Sequence, residues 1–232
     1  MRFPVVFAVM TLLSWGFSWG FAGLGVAGDP ANDDAAAGAP DPPRSVIADI
    51  SGDPDQPRRH FRVRDPARIG GFDAEAIYRG LAADMADIYA LSGGRLAAAY
   101  QGWGRYNSAP YLSVTHGQRY VNNYANRLAR DYGRFEDAGR LPVGAVIAKD
   151  SIAITADGEA FPGPLFIMEK MPEGFSNASG DWRYTMIMPD GSLLGVTKGE
   201  GAERVEFCIG CHLAREGYDH LYFPPEEFRS VP

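Results

Sequence analysis

The chain has two cysteines, and both lie in a single five-residue segment, Cys208-Ile209-Gly210-Cys211-His212. The spacing C-x-x-C-H is the pattern by which a c-type haem is attached to protein. The two thiols form thioethers with the vinyl groups of the haem, and the adjacent imidazole can bind the iron on one face. We therefore predict one haem c, attached covalently through Cys208 and Cys211, with His212 as an axial ligand of the iron.

Three other roles are open to a C-x-x-C pair. A thioredoxin-like redox pair follows a βαβ unit, with a helix N-terminus that lowers a thiol pKa, and no such unit precedes this pair. A structural zinc site needs four ligands. Outside the motif, the histidines are His60, His116 and His220, and they form no second closely spaced pair. A structural disulfide is also compatible with two cysteines. The pattern favours haem over these alternatives.

The first residues are typical of an exported protein. Arg2 precedes a largely apolar run over residues 3–21, and Gly25-Val26-Ala27 supplies the small residues that a signal peptidase requires. We predict a signal peptide over residues 1–27 and a periplasmic protein, because haem c is matured outside the cytoplasm in bacteria. The run is also long enough to remain as a single membrane anchor.

A low-complexity segment separates this leader from the predicted domain. Of the 17 residues from Gly28 to Arg44, 15 are Ala, Asp, Pro or Gly. Such a stretch cannot bury enough apolar surface to offset its ordering entropy, so we expect a disordered linker over residues 28–44. Residues 45–232 then form one globular domain, beginning with a short strand at residues 46–50. The net charge of -7 argues against nucleic acid as a partner.

Apolar residues recur at helical spacing in two segments. One stripe follows Asp73, a candidate N-cap, and predicts a helix over residues 73–91 that ends at Ser92-Gly93-Gly94. A second stripe predicts another helix over residues 116–132. Its members are Tyr120, Val121, Tyr124, Leu128 and Tyr132. We interpret this aromatic stripe as core packing, and contact with the haem is the alternative.

After Gly139 the pattern changes to short apolar segments with β-branched residues and a period of two. The predicted strands cover residues 143–152, 165–168, 182–188 and 192–194. Pro189-Asp190-Gly191 predicts a tight turn between the last two strands, and Asp157-Gly158 predicts a second hairpin. The predicted fold class is α+β: an antiparallel β-sheet framed by helices, with the haem-attachment motif opening a short C-terminal helix.

Six short motifs follow one another along residues 100–223, which is more than half of the chain. They are Asn122-Asn123-Tyr124-Ala125, Gly144-Ala145-Val146-Ile147-Ala148-Lys149, Met168-Glu169-Lys170, Gly180-Asp181-Trp182-Arg183-Tyr184, Pro189-Asp190-Gly191, and Cys208 to His212. Each motif alone is weakly specific. In this order and spacing they resemble the cytochrome P-460 family of mono-haem c-type cytochromes, which is related to cytochrome c-prime-beta.

The resemblance implies a mostly antiparallel β domain, often a homodimer, with one haem c and an open position on the iron opposite His212. Some members oxidise hydroxylamine, and in these a lysine is bonded to a meso carbon of the porphyrin. Lys149 matches that lysine in Gly-x-Val-x-x-Lys, so the resemblance implies a haem-binding and catalytic role for it. Asp150 follows where related enzymes often carry a glutamate. The c-prime-beta cytochromes lack the cross-link and bind nitric oxide or carbon monoxide.

The residues around Lys149 allow two interpretations of its side chain. On a strand that begins at residue 143, Lys149 shares a face with Ala145 and Ile147. If that face is the core, the amine needs a buried partner. If Lys149 instead lies at a strand end, its side chain can snorkel to water.

The other groups near the iron also remain open from sequence. A methionine or histidine could be a sixth ligand, although a strand methionine more often fills the core. The candidates are Met168, Met171, Met186, Met188, His116 and His220. Glu169, Arg183 and Glu206 lie near the matching motifs and could act on protons or form salt bridges. From the resemblance we expect a five-coordinate iron.

Three functions fit these predictions. The first is an oxidoreductase that acts on hydroxylamine or a related small nitrogen compound and passes electrons to a periplasmic electron-transfer partner. The second is a non-catalytic cytochrome that binds nitric oxide or carbon monoxide. The third is a plain electron carrier with a methionine or histidine in the sixth position. We rank them in this order.

Overall fold

The computed structural model describes residues 62–232, so the predicted signal peptide, linker and first strand lie outside the described residues. Within this range an antiparallel sheet of eight strands packs against helices. The predicted α+β fold class is confirmed. No helix within residues 62–232 is long and apolar enough to cross a membrane.

The secondary structure elements follow the chain in this order. The α-helices are α1 (Gly71–Ala90), α2 (Arg95–Ala99) and α3 (Glu206–Leu213). The strands are β1 (Gly104–Arg105), β2 (Tyr111–Ser113), β3 (Arg119–Ala125), β4 (Val146–Ile154), β5 (Ala160–Pro162), β6 (Leu165–Lys170), β7 (Trp182–Ile187) and β8 (Leu193–Val196). The 3-10 segments are Tyr100–Gly102, Arg127–Asp137, Asn177–Ser179, Ala202–Val205, Glu216–Tyr218 and Glu226–Phe228.

The strands pair in the order β1-β3-β4-β6-β7-β8, with β2 also on β3 and β5 also on β4. Both predicted hairpins are confirmed: one joins β4 to β5, and the other joins β7 to β8. Gly158 and Gly191 take φ values of 83° and 82° in these turns. That left-handed region strains residues with a side chain, which explains the glycine in each turn.

The predicted helix over residues 116–132 is wrong. Its first half forms the strand β3, which pairs with β1, β2 and β4, and its second half belongs to the kinked 3-10 segment Arg127–Asp137. Tyr120 and Tyr124 lie four residues apart, a spacing that puts two side chains on one face of a helix and also on one face of a strand. The stripe therefore did not distinguish the two structures.

One face of the sheet packs against α1. Tyr124, Ala148 and Ile167 lie side by side in the strand register and share a core with Tyr78 and Met85 of α1. The predicted first helix is thus confirmed, with Asp73 in its first turn rather than at the N-cap.

The opposite face of the sheet packs against α3. Ile147, Met168 and Tyr184 lie side by side in the register, and Cys208 and Ile209 of α3 pack against this cluster. Because side chains alternate along a strand, Lys149 of β4 faces the same side as Ile147, while Asp150 faces α1. The fold therefore puts Lys149 and the C-x-x-C-H segment on one side of the sheet.

Candidate functional site

The C-x-x-C-H segment lies within α3, whose eight residues run from Glu206 to Leu213. Cys208 and Cys211 are three residues apart, so both thiols lie on one side of the helix. Neither thiol is in a disulfide; Cys208 is half-buried and Cys211 is exposed. Burial, with the nearby Cys211 as a second cause, raises the pKa of Cys208 to about 12. A reactive redox pair needs a lowered thiol pKa, so this environment does not favour the thioredoxin-like alternative.

His212 is buried at the end of the same helix and is held in one orientation. Its Nδ1 lies 2.6 Å from the backbone carbonyl oxygen of His220. Since a carbonyl oxygen only accepts, Nδ1 carries the proton and donates it, and the lone pair is on Nε2. Tyr184 and Tyr222 pack against the imidazole, with ring centroids 5.1 Å and 5.2 Å away. This tautomer, fixed by a backbone carbonyl, is the usual form of a metal-binding histidine.

A cavity of about 270 Å³ lies against the motif. Its walls come from α3 and the residues just after it, from β6, and from the loop between β2 and β3. The lining residues are Thr115, His116, Phe166, Phe207, Cys208, Gly210, Cys211, His212, Ala214 and Tyr222. Aromatic rings line much of it, and the His116 ring meets Phe166 at a centroid distance of 4.9 Å. Concave, mostly apolar surfaces with a few polar groups are typical of cofactor sites.

Lys149 lies beside this cavity without lining it. In the register Lys149 is directly opposite Phe166, which does line the cavity, and side chains in such a pair lie about 5 Å apart at Cβ. The Lys149 side chain is only 5% exposed. Burial alone lowers the pKa of Lys149 to about 8, and among residues 62–232 the amine has no hydrogen bond or ion pair. The side chain is therefore buried, as the first sequence interpretation expected, but residues 62–232 do not supply the partner that this interpretation called for.

Two further buried polar atoms on this face lack hydrogen-bond partners within the described part of the chain. Asn123 is directly opposite Lys149 on the other flanking strand, and its Oδ1 is unpaired. The hydroxyl of Tyr184, which packs on His212, is unpaired as well. Buried polar groups are normally satisfied, so each of these two unpaired atoms calls for an explanation.

These residue types fit the attachment and iron-ligand chemistry of a haem c. The site offers two thiols on one side of a helix, an imidazole in the metal-binding tautomer and an apolar, aromatic cavity between them and β6. In residues 62–232 no three His, Cys, Asp or Glu side chains converge as a metal site would require. The zinc alternative therefore gains no support from the structure.

The residues that the sequence offers as a sixth iron ligand differ in whether they line the cavity. His116 lines the cavity, whereas none of the four methionines does. Met168 and Met186 are buried in the sheet, and Met171 and Met188 are half-buried. The ring of His220 packs over Gly180, and its contribution to the site is its backbone carbonyl.

The three polar candidates lie away from the cavity walls. Glu169 and Arg183 form an ion pair with each other across β6 and β7. They are on the face that carries Ile167, which packs toward α1. Glu206 is in the first turn of α3 and does not line the cavity.

Sequence reasoning missed most of the aromatic residues around the motif. Phe207 directly precedes Cys208, and that adjacency was a usable signal. Phe166, Tyr184 and Tyr222 reach the site only through the packing of β6, β7 and the C-terminal segment.

No protein-family model matches the chain, and no curated protein matches it either. The resemblance to the cytochrome P-460 family therefore rests on the six motifs and stays a prediction.

Proposed function

We propose that the protein is a mono-haem c-type cytochrome that resembles cytochrome P-460 and oxidises hydroxylamine or a related small nitrogen compound. The observation that carries this proposal is the combination of the C-x-x-C-H segment with the fixed tautomer of His212 beside an aromatic cavity. Cys208 and Cys211 would form the thioethers, and His212 would bind iron through Nε2. When bound, the haem supplies a Lewis-acidic, redox-active iron, a chemistry that no side chain offers.

The buried amine of Lys149 supports the enzymatic branch of the proposal. An amine forms a bond to carbon only when it is neutral, and a lysine with an ordinary pKa of 10.5 is almost fully charged at pH 7. The lowering to about 8 raises the neutral fraction of Lys149 by about 300-fold. If Lys149 held the haem through a bond from its amine to a meso carbon, that bond would replace one N–H and one C–H. The two protons and two electrons would go to an external two-electron oxidant such as a peroxide.

The chain also offers groups for the handling of substrate. His116 lines the cavity, and its imidazole can accept a proton from a bound substrate. Its Nδ1 lies 2.9 Å from the hydroxyl of Ser113, which holds the ring in place. Phe166 and Phe207 make parts of the cavity wall apolar. The electrons leave to an external acceptor, for which we propose a periplasmic electron-transfer partner.

The same walls favour a second candidate, a cytochrome that binds nitric oxide or carbon monoxide without turnover. Phe166 and Phe207 offer an apolar environment suited to an uncharged diatomic ligand. In that case Lys149 stays unbonded, and its amine remains buried without a partner.

Attachment is tested first, on full-length protein matured by export. We expect the haem to remain with the polypeptide through acid-acetone extraction, and the Cys208→Ala, Cys211→Ala double variant to contain none. Haem that leaves the wild type on extraction, or stoichiometric zinc in its place, would contradict the proposal.

A second measurement separates the enzyme from the gas binder. Tryptic digestion of the matured protein should yield one haem peptide that joins the Lys149 segment to the Cys208–Cys211 segment. Lys149→Leu should lose this peptide, return the red-shifted ferrous Soret band to that of an ordinary haem c, and lower hydroxylamine oxidation. Lys198→Leu is the matched control, because Lys198 is exposed. An ordinary wild-type spectrum without the joined peptide would favour gas binding.

A further inference from the structure

Lys170 of β6 and Asp219 form a buried ion pair that does not line the cavity. Asp219 directly precedes His220, whose backbone carbonyl accepts a hydrogen bond from His212. The Lys170 and Asp219 side chains are only 3% and 6% exposed. The Lys170 amine also donates to the backbone carbonyl of Gly180 over 2.8 Å and lies 4.9 Å from the centre of the Trp182 ring. Replacing a buried ion pair by apolar side chains is often neutral or stabilising, so burial of this pair is weak evidence that it serves stability.

Asp219 is part of a short turn whose backbone is strained. Asp219 and His220 have φ values of 53° and 62°, and neither is a glycine. Two consecutive residues in the left-handed region persist only where surrounding contacts hold them. The contacts here come from three separate segments of the chain. Lys170 binds the Asp219 carboxylate, the Leu141 N–H donates to the same carboxylate over 2.9 Å, and the Trp182 Nε1–H donates to the Asp219 carbonyl over 2.8 Å.

This turn delivers one contact to the functional site. It directs the carbonyl of His220 at the Nδ1 of His212, 2.6 Å away. The ring of His220 is held as well, because it packs closely against Gly180. A Cβ added at Gly180 would lie only 2.4 Å from the nearest atoms of that ring. If the turn relaxed to a right-handed conformation, the carbonyl would rotate away from His212.

We propose that the Lys170–Asp219 ion pair is a positioning device for the iron ligand. By holding the Asp219–His220 turn in its strained conformation, it fixes the orientation, the tautomer and the basicity of His212. The inference rests on the proposed function in that His212 binds the iron. Hydrogen-bond partners of metal-binding histidines raise ligand basicity in this way, and their loss changes affinity or activity by about 10-fold or more.

The test is the double variant Lys170→Met, Asp219→Asn in full-length, export-matured protein. It removes both charges together, so no unpaired charge is left in the interior. We expect a folded protein with haem attached, an iron–histidine Raman band at lower frequency than in the wild type, and a higher midpoint potential. If the double variant does not fold, Lys170→Met, Asp219→Leu also removes both charges together and carries the same comparison.

Glu169→Gln with Arg183→Met is the matched control. This pair spans the same two strands as Lys170 and Trp182 but lies on the opposite face of the sheet. We expect it to leave the Raman band and the potential unchanged. An unchanged band in the Lys170 and Asp219 variants, or an equal shift in the control, would overturn the inference.

A measurement without haem separates this inference from the proposed function. In the full-length Cys208→Ala, Cys211→Ala background, nitrogen-15 NMR of the imidazoles reports the tautomer of His212. We expect the Nδ1–H form alone, and a mixture of tautomers after Lys170→Met, Asp219→Asn. A single Nε2–H form in the background protein, or the same tautomer with and without the ion pair, would refute the positioning role. If wild-type protein proves not to bind haem, the proposed function fails while this result still decides the role of the pair.

Discussion

Replacing Lys149 by methionine is expected to stabilise the haem-free protein at pH 7. The Lys149 pKa falls from 10.5 to about 8 on folding because the amine is buried without a partner. The difference of about 2.5 pKa units corresponds to about 3 kcal/mol of unfolding free energy. The native amine binds its proton less tightly than the unfolded one, so this cost is complete below pH 8 and disappears as the pH rises through 10.5. Methionine has nearly the same length and no charge, so it avoids the cost.

Urea titrations of the Cys208→Ala, Cys211→Ala background, with and without Lys149→Met, measure this difference. We expect a gain of about 2–3 kcal/mol at pH 7 that shrinks steadily between pH 8 and pH 10.5. Arg95→Met is the control and should change stability by less than about 0.5 kcal/mol, since the Arg95 side chain is exposed and forms no ion pair within residues 62–232. A loss of stability at pH 7, or a difference that does not vary with pH, would show that the Lys149 ammonium has a partner in the folded protein.

Three further outcomes are expected. His212→Ala should keep the haem attached but remove the iron–histidine Raman band, and a retained band would exclude His212 as the ligand. Tyr78→Phe removes a 2.7 Å hydrogen bond to the buried carboxylate of Asp150, which should cost about 1–3 kcal/mol in urea unfolding; no change would mean that water or another donor replaces it. Gly180→Ala should lower the melting temperature, because its Cβ would lie 2.4 Å from the His220 ring and Gly180 has a φ of 57°. The matched Gly217→Ala should not, because a Cβ at Gly217 would enter open space.

Most of the strands and both hairpins could be predicted because their signals are local. Alternation of apolar residues in β7 and the Asp-Gly turns act within a few residues of chain. The segment that became β3 could not be assigned correctly, since Tyr120 and Tyr124 fit either period. Pairing with β2 and β4 decided it, and Asn122 is buried there against Asp150 instead of facing solvent.

The sequence by itself determined the reactive groups and their local spacing. Cys208, Cys211 and His212 are close together in any helical conformation, because three or four residues make one turn.

Only the tertiary structure decided what surrounds those groups. Tyr184 packs on His212 from 28 positions away in the chain, and Lys149 shares a face with Phe166 through the register of β4 and β6. A slip of one residue in that register would move Lys149 to the face that carries α1, and its amine would leave the cavity side of the sheet. Register depends on how the whole sheet buries its two faces, so no local pattern around Lys149 contains this information.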